Sequence, residues 1–509
     1  MNVVLLLLIR MALSANILYI VPLGSPSHVI WNRALAVSLN DKGHNVTMVT
    51  HTEEKQKIKN FHTILLEGFY EKKYEAHSLE SLSKRDAFSN IKARYDYSFY
   101  SCVHDLETEG FKTLLNYPKD FNFALIIFDI TNEGCLYPLI QRFNNPPVVA
   151  VTTFLLSPAL AHVFGNPMQA AYFPFYSTKH TDRMIFVERM KNFLLIHFEI
   201  LYRRYISLPA ELKLAKQYFG ENIRDFEEVE RNMSLLICNY DPLLSFPLAL
   251  APNIVPAGGL HIEPVKPLPV DLKKIVEDAQ EGLVIFALGS YFRSDQLSIT
   301  KRTAILDAFA KLPQTVLWKF ESEITDLPKN VFVRKWLPQN DLLGNCKTKL
   351  LITHGGALST QEAMYHGVPV IVVPFFIDQH ANGEKLADRR MGKVVSYHDI
   401  TSENLFAAIT EVINNPMYSK NIKQLSQLYR DSPDHPLERA VYWVEFVLRH
   451  GTAKHFNLAS RDMSTYQLAS YDVVLVLLLG LFLLYELTLF IFTCCRWTYS
   501  IKSPVNIAL

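Results

Sequence analysis

Cysteine is scarce in this chain of 509 residues. There are six, and the four before the C-terminal apolar run, Cys102, Cys135, Cys238 and Cys346, stand far apart. Their spacing excludes a dense disulfide framework and a zinc site of paired cysteines. An excess of charge of one sign is also missing: 51 Lys and Arg face 50 Asp and Glu. That excludes the basic face that nucleic acid requires of a main partner. A hydrophobic share of 49% excludes a disordered chain. There is no internal repeat, no low-complexity tract and no carboxylate cluster suited to a metal ion. The length is too great for one core and suits two or three domains.

Long apolar runs occur at both ends. "MNVVLLLLIRMALSA" has the apolar centre and small-residue close of a signal peptide cut after Ala15, although no basic residue precedes the run and Arg10 interrupts it. "VVLVLLLGLFLLYELTLFIFTCC", residues 473–495, is long enough to cross a bilayer core of roughly 30 Å as a helix. Glu486 is the one carboxylate inside it, a feature that points to a partner helix and so to a homo- or hetero-oligomer. Arg496 and Lys502 follow the run and Asp472 precedes it. The positive side is therefore the C-terminal tail, residues 496–509, expected in the cytosol. The pattern is that of a type I single-pass protein with its mass in a lumen. Two glycosylation sequons occur, at Asn45 and Asn232. The first opens an apparent strand and is the poorer acceptor.

Between the ends, strand-like and helix-like pieces alternate. "NILYIVP" reads as a strand and "SHVIWNRALAVSLNDKGH" as a helix capped by Ser27 and stopped by Gly43. "NVTMVT", "FALIIFD" and "PPVVAVT" continue the strand type. "HIEPVKPLPVD", with three prolines in six residues, interrupts the pattern and serves as a linker over 263–271. The alternation then restarts with "LVIFALG", "TVLWKF", "VFVRKW", "KLLITHGG" and "VPVIVVP". The expected fold class is α/β: a domain over 16–262, a second over 272–440, and a returning helix and juxtamembrane segment over 441–472. "MIFVERMKNFLLIHFEILYRRYISL", residues 184–208, is apolar and basic-flanked. An ordinary core helix is favoured over one lying on a lipid surface.

The densest chemistry lies in the second half. His354, Gly355 and Gly356 join an apolar strand to a helix, where unpaired N–H groups and the helix dipole favour a phosphate. His354 offers a donor to it, and Ser359 adds a hydroxyl. Trp336, followed by Pro338 and Gln339, offers a flat face and an amide for a base such as uracil. Glu362 is placed to accept from ribose hydroxyls. Asp378 and Gln379 follow the next strand and suit sugar hydroxyls.

The segment Trp336 to Gln379, with "WLPQNDLLG", "THGG", "EAMYHGVP" and "DQHAN", resembles the signature of the UDP-glycosyltransferases, and the chain is similar to their animal membrane-bound branch over nearly its whole length. The resemblance implies the GT-B fold, two doubly wound Rossmann-like domains facing a cleft, plus a C-terminal transmembrane helix. It implies that Trp336 stacks on uracil, Gln339 contacts the nucleoside, and Glu362 the ribose. His354 and Gly356 would bind phosphate, Asp378 and Gln379 the sugar, with Ser290 by the diphosphate and Asn382 near the donor. "GSPSHVIWNRALAVSLNDKGHNVT" resembles the family's opening segment, so His28 falls on its catalytic histidine and Asp129 on the acid that orients it. Histidine suits a base taking a hydroxyl proton near neutral pH. His44 reads as a packed helix-end residue with no catalytic part. The implied reaction is inverting transfer from a UDP-sugar, glucose by likeness to arthropod members or else glucuronate, to a small lipophilic acceptor. No cofactor or metal is called for, and UDP-sugar is a co-substrate. A silent UDP-sugar binder is the reading from another class, but it would be expected to have lost His28 or Asp129. The implied location is the endoplasmic reticulum membrane, although the tail "KSPVNIAL" lacks the dilysine that many relatives carry.

Overall fold

Two parallel sheets organise the computed structural model, in which residues 14–70, 79–118, 120–290 and 292–502 are described. The first sheet holds β1 (Asn16–Ile20), β2 (Asn45–Thr50), β3 (Phe61–Leu65), β4 (Leu125–Asp129), β5 (Val148–Thr152), β6 (Leu235–Cys238) and β7 (Ile254–Pro256), in the order β3-β2-β1-β4-β5-β6-β7. The second holds β8 (Leu283–Ala287), β9 (Thr315–Lys319), β10 (Val331–Arg334), β11 (Thr348–Thr353), β12 (Val370–Val372) and β13 (Gly392–Val394), in the order β10-β9-β8-β11-β12-β13. The central strands are short aliphatic runs, "LIIFD" and "VVAVT" in one sheet and "LVIFA" in the other, buried throughout. Parallel strands need that composition because helices cover both faces. In each sheet the strand order reverses once: between β1 and β4, and between β8 and β11. A crevice opens at such a point beyond the carboxyl ends of the strands.

Eight helices matter to the argument: α1 (Pro26–Asp41), α2 (Ala87–Asp105), α3 (Phe186–Tyr202), α4 (Leu208–Phe219), α5 (Ala357–His366), α6 (Gln379–Asp388), α7 (Pro436–His450) and α8 (Tyr471–Lys502). Ser27 does not cap α1 as expected. Ser25 takes the N-cap position, because Pro26 supplies the preset φ of a first helical residue. Gly43 does sit past the helix end, with φ of 100°. The proline-rich stretch 262–269 carries no helix or strand, and the next helix begins at Val270.

Helix α7 returns to the first sheet, packing Ala440, Val441 and Val444 into one cluster with Trp31 and Leu35 of α1. The two sheets are also tied directly: the Tyr429 hydroxyl donates to the Gly258 carbonyl (2.5 Å), and Arg389 donates to the Ser245 carbonyl (2.6 Å). Residues 458–509 form a separate unit built on α8. Its stretch Tyr471–Trp497 is long and apolar enough to cross a membrane, and none of it is buried. The leader expected over 1–15 falls, apart from Ser14 and Ala15, outside the described residues, as do residues 503–509 of the tail.

One feature was not expected, and one expectation needs narrowing. Cys102 and Cys135, apart in sequence, form a disulfide that joins α2 to the loop after β4, with Cα atoms 5.8 Å apart. Helix α3 is a core helix on one side only. Leu195 and Ile196 are buried against α2, whereas Phe186, Met190, Leu194 and Leu201 are exposed.

Candidate active site

A cavity of about 480 Å³ opens between the crevices of the two sheets, lined by His28 and Thr153 on one wall and by Ser290, His354 and Gly356 on the other. Trp336, Gln339, Ser359, Glu362, Asp378 and Gln379 also line it. Asp129 and Asn382 stand behind the wall, each bonded or adjacent to a lining residue.

His28 lies in the first turn of α1, just beyond β1, and Asp129 closes β4, the neighbouring strand across the reversal. The His28 Nδ1 is 3.4 Å from Asp129 Oδ2 and 2.5 Å from the Thr153 hydroxyl. Its Nδ1 is thus committed, and Nε2 is the nitrogen left to meet a substrate. Asp129 is held by donors on both oxygens. Thr131 gives its N–H (3.0 Å) and hydroxyl (2.5 Å) to Oδ1, and Asn32 gives its amide to Oδ2 (2.7 Å). Asn32 is fixed in turn by donating to the His28 carbonyl and accepting from the Tyr19 hydroxyl (2.8 Å). The pair has the parts of an acid-oriented imidazole base.

The opposite wall is built at the second reversal. Gly356 is the N-cap of α5, so the first N–H groups of that helix face the cavity. The glycines have separate reasons. Gly355 has φ of 90°, and a Cβ there would meet Val372 at 2.5 Å. A Cβ at Gly356 or at Gly289 would stand 2.5 or 2.3 Å from the His354 ring. The space left by these two residues is occupied by the imidazole, which is locked beside the helix end. Burial, with the Lys319 ammonium nearby, pushes His354 down to about 3. It is therefore neutral and serves as a hydrogen-bonding group, not a charge.

Trp336 is 60% exposed, unusual for tryptophan, and presents its ring to the cavity. Gln339 donates its amide to Ser359 (3.0 Å) and Glu362 (2.7 Å), which leaves its carbonyl as an acceptor. Asp378 follows Ile377, whose φ of 53° is strained for a β-branched residue and sits where backbone strain tends to collect. The Gln379 carbonyl accepts from the N–H groups of Phe375 (2.8 Å) and Phe376, so only its amide nitrogen remains for a ligand. Asn382 ties Asp378 (2.8 Å) to the Gly355 carbonyl (2.9 Å), linking the start of α6 to the glycine turn before α5. Burial pushes the Asp378 carboxyl up to about 6; the Asn382 amide and the nearby Lys385 side chain oppose that rise.

Over residues 9–504 the chain matches the family described as "UDP-glucoronosyl and UDP-glucosyl transferase". It is 33% identical to UDP-glucosyltransferase 2 of Dactylopius coccus over 91% of this chain and 90% of that protein. The chain belongs to the UDP-glycosyltransferases. It is also 32% identical to UDP-glucuronosyltransferase 2B17 of Homo sapiens, over 89% of this chain and 88% of that one. Among solved structures it resembles the glycosyltransferase VinC in complex with dTDP, at 19% identity and a TM-score of 0.55, over 84% of this chain and all of that one. The glycotransferase of kitacinnamycin gives 18% and 0.54, over 86% and 99%. These likenesses confirm the two-domain GT-B fold.

Within this UDP-glycosyltransferase, sequence reading missed several residues that the fold brings to the cavity. Lys319, at the carboxyl end of β9, lies 5.8 Å from the centre of the Trp336 ring and is paired with Glu321. It is a cation on the same wall as His354. Asn32 sits one helical turn after His28, a spacing that could have been noticed. Thr153 ends the run after β5 and meets His28 only because β5 lies beside β4. Arg94, from α2, also lines the cavity; it is buried and donates to Asn132, Tyr176, Glu199 and the Thr131 carbonyl. His44 is buried and accepts from the Ala15 N–H (3.2 Å), remote from this cavity, as a packing residue should be. Among the described residues, His51, His104 and Asp105 form the one group with metal-like spacing. Both His51 nitrogens lie against carbonyls, of Pro22 (2.8 Å) and Leu66 (2.9 Å), so the ring spends both N–H groups and keeps no lone pair for a metal.

Proposed function

We propose that the enzyme transfers a hexosyl group, glucose in preference, from a UDP-sugar to the hydroxyl of a small lipophilic acceptor, with inversion. His28 Nε2 takes the acceptor proton as the oxygen attacks the anomeric carbon. The bond from that carbon to the diphosphate breaks, and UDP leaves. Asp129 orients the ring and stabilises the imidazolium. Trp336 and Gln339 hold the base, Glu362 the ribose, and Ser290, His354, Gly356 and Ser359 the diphosphate. Asp378 and Gln379 take the sugar hydroxyls, with Asn382 fixing Asp378. The observation that carries this reading is the single cavity with an acid-oriented histidine on one wall and a helix N-terminus on the other. No metal or other cofactor enters the scheme, since the α5 N-terminus and the Lys319 ammonium stand where the leaving diphosphate gathers charge. Near the acceptor corner Leu23, Ile30 and Phe154 are apolar, which suits a lipophilic substrate.

The location that fits is the endoplasmic reticulum membrane, with the catalytic unit in the lumen and α8 as anchor. The Cys102–Cys135 disulfide suits an oxidising compartment. The test is an assay of membrane fractions with UDP-glucose and UDP-glucuronate against a panel of phenols. His28→Ala should abolish transfer and leave the affinity for UDP unchanged. Transfer persisting in that variant removes the base assignment, and faster turnover of UDP-glucuronate reverses the donor preference.

A further inference from the structure

One buried side chain on the cavity wall is left without a hydrogen bond. Among the described residues that line the cavity, His261 is the one whose two ring nitrogens are both buried and unpaired. A buried polar group in that state is rare and calls for a reason. The backbone gives the ring little choice of place. His261 closes the turn after β7, in which the Gly259 N–H donates to the Asn239 side chain (3.1 Å) and the Gly258 carbonyl accepts from Tyr429. Just beyond it, the Glu263 carbonyl accepts from Asn340 (3.0 Å) and the Lys266 N–H donates to Asp341 (2.9 Å). Asn340 and Asp341 follow Gln339 in one short helix. The start of the proline-rich linker is therefore pinned beside the residue whose amide holds Glu362.

The ring faces that same carboxylate. Gln339 donates to Glu362 Oε2 (2.7 Å), whereas Oε1 has His261 Nε2 at 3.6 Å. The carboxylate selects the tautomer with the proton on Nε2, facing it. At 3.6 Å the pair stands just outside hydrogen-bond range, and contacts of this kind close when a ligand fills the site. A carboxylate held on one oxygen still turns about its last side-chain bond, which has a broad torsional minimum. We infer that His261 is a positioning residue for the donor: its Nε2–H closes onto Glu362 Oε1 and fixes the carboxylate plane, so that the remaining lone pairs point at the two ribose hydroxyls. The inference rests on the reading of Glu362 as the ribose contact. It adds that the joint between the domains furnishes part of the donor site, because His261 ends the first domain and Glu362 belongs to α5 of the second. Filling the nucleoside corner draws that joint against α5.

The test compares His261→Met with His261→Gln in the full-length protein. The two replacements are alike in length, and only glutamine brings an N–H donor. Calorimetry gives the affinities for UDP and for 2′,3′-dideoxy-UDP, which lacks both ribose hydroxyls. The ratio of the two, taken on one sample, does not depend on the fraction of the protein that is folded. His261→Met should cut the preference for UDP about 10- to 100-fold, the effect of losing a hydrogen bond to a charged group, and His261→Gln should restore most of it. In the methionine variant KM for UDP-glucose should rise more than kcat falls, because the ribose lies away from the reacting carbon. In a Glu362→Gln background His261→Met should change the preference little further. A full preference for UDP in His261→Met, or equal weakening of both nucleotides, overturns the inference; if Glu362→Gln alone abolishes the preference, the ribose contact still stands. A preference that survives Glu362→Gln removes the ribose contact itself, and the role of His261 with it.

Discussion

The Asn32 side chain occupies the Asp129 oxygen that would otherwise be free to approach the His28 ring more closely. It fixes the acid's rotamer. A hydrogen bond to a charged group contributes about 1.5–3 kcal/mol. Asn32→Leu should therefore lower kcat about 10- to 100-fold, with KM for the donor little changed and the acid limb of the pH–rate profile displaced. An unchanged kcat and profile would make Asn32 a packing residue. Asp378 makes a second prediction. A carboxyl at about 6 instead of its ordinary 3.8 means that the folded chain binds this proton more tightly than the unfolded one. It contributes stability at low pH that is lost as pH rises through 6. In the proposed reading the ionised form of Asp378 accepts from the sugar hydroxyls, so affinity for UDP-glucose should rise between pH 5 and 7, with proton release on binding. Affinity for UDP alone should not follow it. Calorimetry in two buffers checks this, and Asp378→Asn should flatten the dependence.

Helix α2 joins stability to substrate choice. One side carries Arg94 into the cavity, and Cys102 near its end is bridged to Cys135, six residues beyond the proposed acid. Closing a loop of this length, a sequence separation of 33 residues, contributes about 2–4 kcal/mol. Cys135→Ser should lower stability in denaturant by about that amount. It should also raise KM for the acceptor more than for UDP-glucose, since the donor wall is built from the second sheet. An equal rise in both would mean that α2 does not shape the acceptor corner. The buried pair Arg94–Glu199 fixes α2 against α3, and Arg203–Glu230 fixes the π turn against the short helix Phe226–Arg231: each charge is held by a partner it cannot exchange for water.

At the scale of the molecule, two sheets have their reversal points facing one cavity, and in the proposed reaction they divide the labour: the first holds the base, the second the donor. The return of α7 to α1, together with the Tyr429 and Arg389 bonds, keeps that opposition in place across the proline-rich linker. The orientation across a membrane is also testable. Asn232 follows a short helix and is exposed, its side chain bonded to the Glu228 carbonyl (2.9 Å) and to Lys454 (3.0 Å), whereas Asn45 is half-buried at the start of β2 with its amide donated to Asn16 (3.0 Å). With the catalytic unit in the lumen, the expressed protein should carry a glycan that Asn232→Gln removes and Asn45→Gln does not, read as a shift after endoglycosidase. Absence of any glycan, with the catalytic unit open to protease on intact microsomes, would place it on the cytosolic side.

The strand runs, the proline break, the long apolar span and the order of motifs from Trp336 to Gln379 are patterns of neighbouring residues, and local periodicity and turn chemistry are enough to read them. That is why the GT-B fold and the family were evident from sequence alone. What joins a site across the fold is of another kind. Thr153 reaches His28 because β5 lies beside β4, Lys319 reaches Trp336 because β9 carries it there, and Cys102 finds Cys135 because α2 crosses the end of β4. The glycines at 289 and 356 were visible as glycines, but the ring that fills their space was not. Helix α3 shows the limit most plainly: its sequence contains two apolar faces, and only the tertiary packing around it, α2 and the 173–176 loop included, decided which one the protein covers and which it leaves bare.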